Sequence, residues 1–407
     1  MRKTLAILLL AGTTFLTGCG SSENFVVTNN GQLAVAPTCV DDAYTANSNA
    51  TLTVTAANGV LANDAPAGGT ATFPTTSTQG GTVAGLADGG FTYTPPVNFT
   101  GTDTFAYTVS NSFGSATCTV TLTVNAVNGF FVDATNGNDT TGTFTNGLPF
   151  ATIQAAVTAA GTGQDIVVRP GTYTGVVTLL DNQRLLGSGS QLAANTVTGA
   201  ARPVTNSQIV LANGNTVDFV RVDGFAGDGI TGTGSNGGTI TNCEAQNLTN
   251  FGIGARLISV TGNWTVSNNN FSNNASGGIQ VTSDTGDVLR GVFNNNTLTG
   301  NGSGSFGFTA GQNAQMRVQV TNNIMTGTIA PGATFQVIVG GTALFCADIT
   351  GNTNDDAYEF SNDNTNADLQ VEQFAQLTSL NSGGATVTIG AGSVENPIDV
   401  ADGTCGF

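Results

Sequence analysis

The residues best suited to acid and base chemistry are four charged side chains that are expected to fall within adjacent coils of a repeat, Arg256, Asp284, Asp287 and Arg290. The sequence has no histidine, and its single lysine is Lys3, so arginine is the only strong nitrogen base beyond that position. An arginine can remove a proton beside a sugar carboxylate, and paired carboxylates can flank a glycosidic bond. These residues are the catalytic candidates if the chain is an enzyme, but ordinary ion pairing between loops is the favoured explanation.

Three aspartates, Asp42, Asp64 and Asp103, carry the oxygen atoms that Ca²⁺ prefers. They would form a cation site if their loops converge. Each also lies near turn residues, where an Asp side chain accepts hydrogen bonds from the turn backbone. We expect turn capping, with a Ca²⁺ site as the alternative and no other cofactor.

The composition indicates short strands joined by many turns. The 407 residues include 56 glycines, and only 9% of the side chains are charged. Helical proteins are rich in Ala, Leu, Glu and Lys, whereas Gly, Thr and Asn suit strands and turns. We therefore predict an all-β chain that is long enough to bury two cores.

The charge balance argues against nucleic acid as a partner. Residues 1–18 contain two of the nine basic residues and no acidic one, so the remainder carries 7 basic against 26 acidic residues, a net charge of −19. Affinity for nucleic acid comes mainly from Lys and Arg contacts to phosphates. An acidic surface of this kind is expected to keep the protein soluble and to repel uronate-rich polymers.

The first 19 residues have the organisation of an export signal. Two basic residues precede an apolar run at 5–11, which is too short to span a bilayer. The stretch Leu16–Cys19 then resembles the bacterial lipobox. The resemblance implies a signal peptide over 1–18, lipidation of Cys19 and, because Gly20 follows, an outer-membrane anchor that faces the cell surface or the periplasm. Residues 19–38 are expected to be the anchor and a polar tether.

Residues 39–126 alternate apolar side chains with Thr in short runs. The runs are Thr51–Thr55, Phe91–Thr94, Thr104–Val109 and Cys118–Val124. Alternation with a period of two predicts half-buried strands, and the Gly, Asn and Pro pairs between them predict turns. About seven strands of this length make a β-sandwich.

Three stretches of this segment, Asp41–Tyr44, Gly59–Asp64 and Phe91–Tyr107, resemble the cadherin-like, Ig-like repeats of bacterial surface proteins. The resemblance implies an Ig-like sandwich that serves as a spacer or an adhesive module. It names no ligand, because one fold supports many functions.

The next segment opens with a strand, an amphipathic helix and a further strand. Its stretches Phe131–Asp139, Pro149–Val157 and Asp165–Tyr173 resemble the entry of pectate-lyase-like β-helices. The helix has one narrow apolar face, which can plug the open end of a solenoid. The residues of that face are Ile153, Ala156, Val157 and Ala160.

Five four-residue stretches between residues 240 and 352 recur every 26 to 29 residues, which indicates one solenoid coil per repeat. The fourth position of each is expected to point inward, where an amide can bond the turns of successive coils. This column resembles the asparagine ladder of right-handed β-helices. Its predicted members are Cys243, Asn269, Asn295, Asn323 and Asn352. Over 127–345 we predict a right-handed parallel β-helix that begins with a short capping helix. Over 346–407 we predict a last coil and a C-terminal cap.

A second column predicts the core of one sheet and therefore its outer face. The aligned inward positions are Ile253, Ile279, Phe306, Phe335 and Tyr358. These aromatic residues are expected in the core rather than on a sugar-binding surface. The outward positions form a sparse polar stripe, and its candidate binding residues are Arg256, Gln280, Thr282, Gln336 and Glu359.

The cysteines are expected to sort by position in an oxidising compartment. Cys118 shares parity with core residues of the predicted sandwich and Cys39 begins the same domain, so these two are predicted to pair. Cys346 and Cys405 bracket the closing segment and are predicted to form the second disulfide. Cys243 is left as a buried free thiol in the ladder.

The whole sequence favours a non-catalytic cell-envelope lipoprotein. Arg256 and Glu359, the one Arg and the one Glu of the outward stripe, lie four coils apart, about 19 Å at about 4.8 Å per coil, so they cannot act on one bond. We expect the β-helix face to contact glycan or another cell weakly, without cleavage, and the sandwich to act as a spacer from the membrane. The alternatives are a polysaccharide lyase or glycoside hydrolase, and a purely structural envelope protein.

Overall fold

A computed structural model divides the chain into two compact units, Met1–Val127 and Asn128–Phe407. The described residues are 14–16, 25–27, 33–97, 99–125, 129–144, 148–190, 201–284, 286–302, 304–327, 334–362, 367–383, 386–389, 397–401 and 403–406. The predicted lipidation residue Cys19 and most of the predicted signal peptide lie outside these ranges. No helix in the described ranges is long and apolar enough to cross a membrane.

The first unit contains a two-sheet sandwich, as the alternation of apolar residues with Thr predicts. One sheet has four strands, in the order Asp42–Asn47, Gly114–Asn125, Gly101–Asn111 and Thr70–Thr72. The other sheet has three, in the order Leu52–Val54, Phe91–Thr94 and Thr82–Gly85. A one-turn helix covers Ala56–Asn58. Upstream, a small antiparallel sheet has the strands Thr14–Leu16, Phe25–Val27 and Leu33–Ala34.

Every second residue of the long sandwich strands enters the core. Tyr93, Tyr107 and Leu122 are almost completely buried there. The disulfide between Cys39 and Cys118 joins the segment before the first sandwich strand to the last strand, with Cα atoms 5.9 Å apart. The predicted pairing is confirmed.

The second unit is a parallel β-solenoid with three sheets, named here sheet I, sheet II and sheet III. Sheet I has the strands Phe130–Val132, Asp165–Val168, Arg184–Gly187, Asn215–Asp218, Asn236–Thr241, Thr261–Ser267, Val288–Asn294, Gln315–Thr321, Leu344–Thr350, Asp368–Glu372 and Ile398–Val400. Sheet II has Thr172–Tyr173, Val204–Thr205, Arg221–Asp223, Glu244–Gln246, Asn270–Ser272, Thr297–Thr299, Ile324–Thr326 and Thr353–Asn354. Sheet III has Val177–Thr178, Ile209–Leu211, Ile230–Thr233, Ile253–Ile258, Gly277–Ser283, Gly304–Ala310, Phe335–Val339, Ala357–Asn362 and Thr386–Ile389.

Helix α1, Ile153–Ala160, covers the first coil of the solenoid. Ile153, Ala156 and Val157 are buried in the same apolar cluster as the solenoid core. The hydroxyl of Thr152 accepts a hydrogen bond from the backbone N–H of Ala155, which caps the start of the helix. The predicted capping helix is confirmed. Near the other end, a one-turn helix at Phe374–Gln376 leads into helix α2, Leu377–Leu380.

The asparagine ladder exists, but its third member is Asn296, so the predicted Asn295 is wrong. The backbone N–H of Asn269 donates to Oδ1 of Asn296, and that of Asn296 donates to Oδ1 of Asn323, at 3.1 and 2.9 Å. Asn295 is exposed, with φ at 54°. Three consecutive asparagines follow Phe293, and the burial of Phe293 rather than Val292 decides which of them points inward. The observed ladder is Cys243, Asn269, Asn296, Asn323, Asn352 and Asn381.

The predicted inward column of sheet III is also wrong at its first member. Ala255, not Ile253, pairs with Ile279, while Ile253 pairs with Gly277. The remaining members, Ile279, Phe306, Phe335 and Tyr358, stack as predicted. Because the shift is two residues, the same side of the strand still faces outward.

The predicted boundary at residue 345, after which a last coil and a cap were expected, falls inside the strand Leu344–Thr350. Later strands extend sheets I and III as far as Ile398–Val400 and Thr386–Ile389. Asn381 continues the ladder with the same spacing of 29 residues as its predecessor. The predicted disulfide between Cys346 and Cys405 is confirmed, with Cα atoms 5.5 Å apart, and Cys243 is a buried free thiol.

Candidate functional site

The outer face of sheet III carries the predicted polar stripe, and the strand register aligns it into one column. Arg256 pairs with Gln280, and the column continues through Gly307 and Gln336 to Glu359. Thr282 is two residues further along its strand and stacks on a neighbouring column. The structure therefore brings four of the five predicted binding residues into one line.

A shallow depression of about 110 Å³ lies in the middle of this stripe. It exists because the strands that cross it carry no side chain at Gly277, Gly304 and Gly307. The polar groups along its lining are the amides of Gln280 and Gln336 and the Ser276 hydroxyl, and no charged residue lines it. The three glycines were not predicted as site residues, because a missing side chain leaves no chemical signal in a sequence.

Charged groups stand at the two ends of the stripe rather than in the depression. Nη1 of Arg256 lies 3.2 Å from Oδ2 of Asp228, and Oδ1 of Asp228 accepts a hydrogen bond from the Ile253 N–H. At the other end the Gln336 amide donates to Glu359 at 3.1 Å. The arginine is therefore neutralised by a carboxylate that the sequence did not single out, and the centre of the stripe remains uncharged.

The four catalytic candidates lie in adjacent coils of the solenoid, but on different elements of those coils. Arg256 is on sheet III, whereas Arg290 is on sheet I and donates to the Gly406 carbonyl. Asp287 and Asp284 lie in the connection between the sheets. There, Asp287 accepts the N–H of Asp284, and Asp284 accepts the Ser259 hydroxyl. Within the described part of the chain, Arg256 alone of the four is in an ion pair, with Asp228, whereas the other three form hydrogen bonds to backbone or hydroxyl groups.

The predicted calcium ligands divide into two separate settings. Asp103 is buried and accepts hydrogen bonds from the hydroxyls of Ser77 and Tyr93 and from two backbone N–H groups. Burial raises the pKa of its carboxyl, but these hydrogen bonds outweigh burial, and the net pKa is lowered. Asp64 instead accepts the Val40 N–H and the Tyr107 hydroxyl.

Asp42 lies close to Asp64, and its Oδ1 accepts a hydrogen bond from the Asn63 amide. The pKa of Asp42 is raised to about 6, chiefly by burial and also by the negative charges of Asp64 and Asp41, although hydrogen bonds from Tyr107 and Asn63 lower it. Across the described ranges, no group of three or more His, Cys, Asp or Glu side chains is placed to hold a metal ion. Through the hydrogen bonds that they accept, the three aspartates brace turns and strands of the sandwich.

Two polar features of the solenoid were not predicted. A second ladder joins Asn274 to Asn301 by a backbone N–H to Oδ1 hydrogen bond of 3.1 Å, and its signal was available as Asn repeats 27 residues apart. On sheet II, Glu244 accepts hydrogen bonds from both Arg202 and Arg221. Arg202 and Glu244 are 42 residues apart in the chain, so no local pattern could have paired them.

Comparison with known proteins agrees with this architecture. Residues 35–129 match the bacterial cadherin-like domain family, and residues 184–354 match the right-handed beta helix region family. No curated protein and no solved structure matched the chain. The chain therefore joins a bacterial cadherin-like domain to a right-handed β-helix.

Proposed function

We propose that this chain is a non-catalytic surface protein of the cell envelope that contacts neutral glycan through the outer face of sheet III. The observation that carries the proposal is the uncharged depression in the polar stripe, with amide and hydroxyl groups along its lining. The cadherin-like domain serves as the spacer, and a lipid on Cys19 anchors the chain in the outer membrane.

The chemistry of the depression suits sugar hydroxyls. The side chains of Gln280 and Gln336 each offer an amide donor and a carbonyl acceptor, and Ser276 adds a hydroxyl. A small number of placed polar groups over an apolar floor is the usual composition of a small-molecule site. The floor here is the buried sheet III column that includes Ile279 and Phe306.

Charge favours neutral sugars over uronate polymers. The net charge of the chain is −17 with its first residues included, which repels polyanions over the length of the molecule. The Arg256 guanidinium, the nearest cation on the stripe, is already paired with Asp228. A uronate carboxylate would have to compete with that carboxylate for the same donor.

The absence of cleavage is supported by the separation of the charged candidates. A lyase needs its base beside a neutralised sugar carboxylate, and a hydrolase needs two carboxyls across one bond. Arg256 and Arg290 lie on different sheets, and Glu359 is four strands of the column away from Arg256.

Binding and turnover are measured together to test this function. Titration calorimetry with α-mannan, xylan and β-1,3-glucan is expected to give weak binding that falls when Gln280 and Gln336 are both replaced by Ala. Gln319→Ala, an amide on the outer face of sheet I, is the matched control and leaves binding unchanged. Release of reducing ends from these glycans, or of unsaturated uronate from pectate, alginate or chondroitin with Ca²⁺ present, would replace this proposal with an enzyme if it disappears in Arg256→Ala or Asp287→Ala.

The membrane anchor is tested separately. Replacing Cys19 with Ala is expected to release the protein from membranes or to leave it unprocessed, because the thiol would carry the acyl chains. A Cys19→Ala protein of mature size that stays membrane-bound contradicts the anchor and leaves the glycan contact standing.

A further inference from the structure

The connections from sheet II to sheet III differ in length from coil to coil, and the one after Arg221–Asp223 has six residues, 224–229. Six residues, 247–252, join the sheet II strand Glu244–Gln246 to the sheet III strand Ile253–Ile258. The next two coils use four residues each, 273–276 and 300–303. The connection 247–252 contains a tight turn closed by a 3.0 Å hydrogen bond from the Gly252 N–H to the Thr249 carbonyl.

Both central residues of this turn, Asn250 and Phe251, are in the left-handed region, with φ of 51° and 62°. Turns of this type favour Asn followed by Gly, because a bulky side chain at positive φ is strained. The Phe251 ring is 81% exposed. The strained backbone and the exposed apolar ring both oppose folding, so packing within the chain does not account for a phenylalanine here.

The backbone of this turn adjoins residues that line the depression, among them Ile253 and Ser276. The Ser276 N–H donates to the Gly252 carbonyl at 3.0 Å, which sets the next coil directly against the turn. That coil presents the exposed Ala275, and in the following coil a Cβ on Gly302 would lie 1.8 Å from the Ala275 carbonyl oxygen. Only glycine fits there. A ledge of small residues thus adjoins Phe251, and Ser276 belongs to the lining of the depression.

We propose that Phe251 is a stacking platform for the nonpolar face of one pyranose ring in a neutral glycan chain, whose further sugar residues reach the amides of Gln280 and Gln336. This assignment rests on the proposed glycan contact and adds the residue that selects the sugar ring. An aromatic face beside donors and acceptors suits a ring with one nonpolar face and a polar edge.

A sugar fits this place better than a second protein. A protein partner needs a continuous apolar patch of several hundred Å². The neighbours of Phe251 on the ledge are an alanine and a glycine, which offer room for one ring and little apolar area. The lining carries no charge, so it provides no ion pair for an acidic or basic peptide.

The chain itself suggests the test, since glycine is the residue that the turn prefers. The probes are α-mannan, xylan and β-1,3-glucan. For whichever of them the wild-type protein binds, the affinity of the Phe251→Gly variant is expected to be roughly fivefold to tenfold lower. The melting temperature is expected to equal or exceed that of wild type, because the strain is relieved. Phe251→Trp is expected to restore binding, and Ile324→Ala, which removes an exposed apolar side chain on sheet II, leaves it unchanged.

The results separate this assignment from the proposed function. If Phe251→Gly binds as wild type does while the Gln280→Ala and Gln336→Ala double variant binds weakly, the platform is wrong and the glycan contact stands. If wild type binds none of the three glycans, both fail. A lower melting temperature in Phe251→Gly would make the ring structural, and a wild-type dimer that becomes monomeric in this variant would make it an interface.

Discussion

The two units bury polar groups in opposite ways. In the sandwich a single carboxylate, Asp103, gathers four hydrogen bonds at one point of the core. In the solenoid, neutral amides repeat from coil to coil, and each asparagine between Asn269 and Asn352 bonds both the coil before it and the coil after it. The sandwich thus depends on one residue, whereas the solenoid distributes the same task along its axis.

The difference follows from topology. A sandwich closes once, so one buried group can tie together a hairpin, a turn and a neighbouring strand. A solenoid repeats one coil, and every coil brings the same turn backbone into the interior. A neutral amide meets that demand without placing a column of like charges in the core.

The largest effect is expected from Asp103→Ala, which should destabilise the sandwich by about 4 kcal/mol, because buried donors from Ser77, Tyr93 and two backbone groups lose their acceptor. Since the folded pKa of Asp103 is lowered, its contribution is present above the unfolded pKa near 4 and is lost as pH falls through the folded pKa. Denaturant unfolding from pH 3 to 8 measures both the loss of stability in the variant and the pH dependence of the Asp103 contribution. Asp88→Ala, an exposed turn carboxylate, is the control, and equal losses would contradict the comparison.

A smaller loss, about 3 kcal/mol, is expected for Asn296→Ala in the solenoid. The variant leaves the Asn269 N–H and the Val266 carbonyl without partners inside the core. Asn295→Gly, next in the chain but exposed at positive φ, should change stability by less than about 0.5 kcal/mol. Hydrogen exchange resolved by coil reports where the loss falls, and a greater loss at Asn295 would overturn the register.

The smallest effect is expected from Asp42→Asn at the edge of the sandwich. The folded pKa of Asp42, about 6, lies above its ordinary value of 3.8, so the folded state binds this proton more tightly than the unfolded chain. The resulting stabilisation is present at low pH and is lost as pH rises through 6. Asp42→Asn keeps an acceptor for Asn63 and should raise the melting temperature at pH 7.5 by about 2 °C, with little change at pH 3.5. Calorimetry at both pH values checks the sign of the change in melting temperature. A variant that is stabilised only at pH 3.5 would contradict the expected direction.

The candidate site could be predicted only in part. The outward parity of Arg256, Gln280 and Gln336 followed from alternation along the strands, and a two-residue slip at Ile253 did not change it. The depression and the turn at Phe251 could not be read in the same way. The depression depends on three glycines that lie in two neighbouring strands of sheet III. The turn depends on two residues at positive φ in a connection that follows no periodic pattern.

The sequence by itself determined the two-domain order, the capping helix, both disulfides and the existence of a ladder, because periodicity and parity are local properties that strand and helix geometry convert directly into burial. Only the tertiary structure decided which asparagine of the run 294–296 enters the core, which carboxylate pairs with Arg256, and where the uncharged depression lies. These depend on how one coil is placed on the next. A shift of a single residue between coils changes every contact without changing the pattern within any one strand.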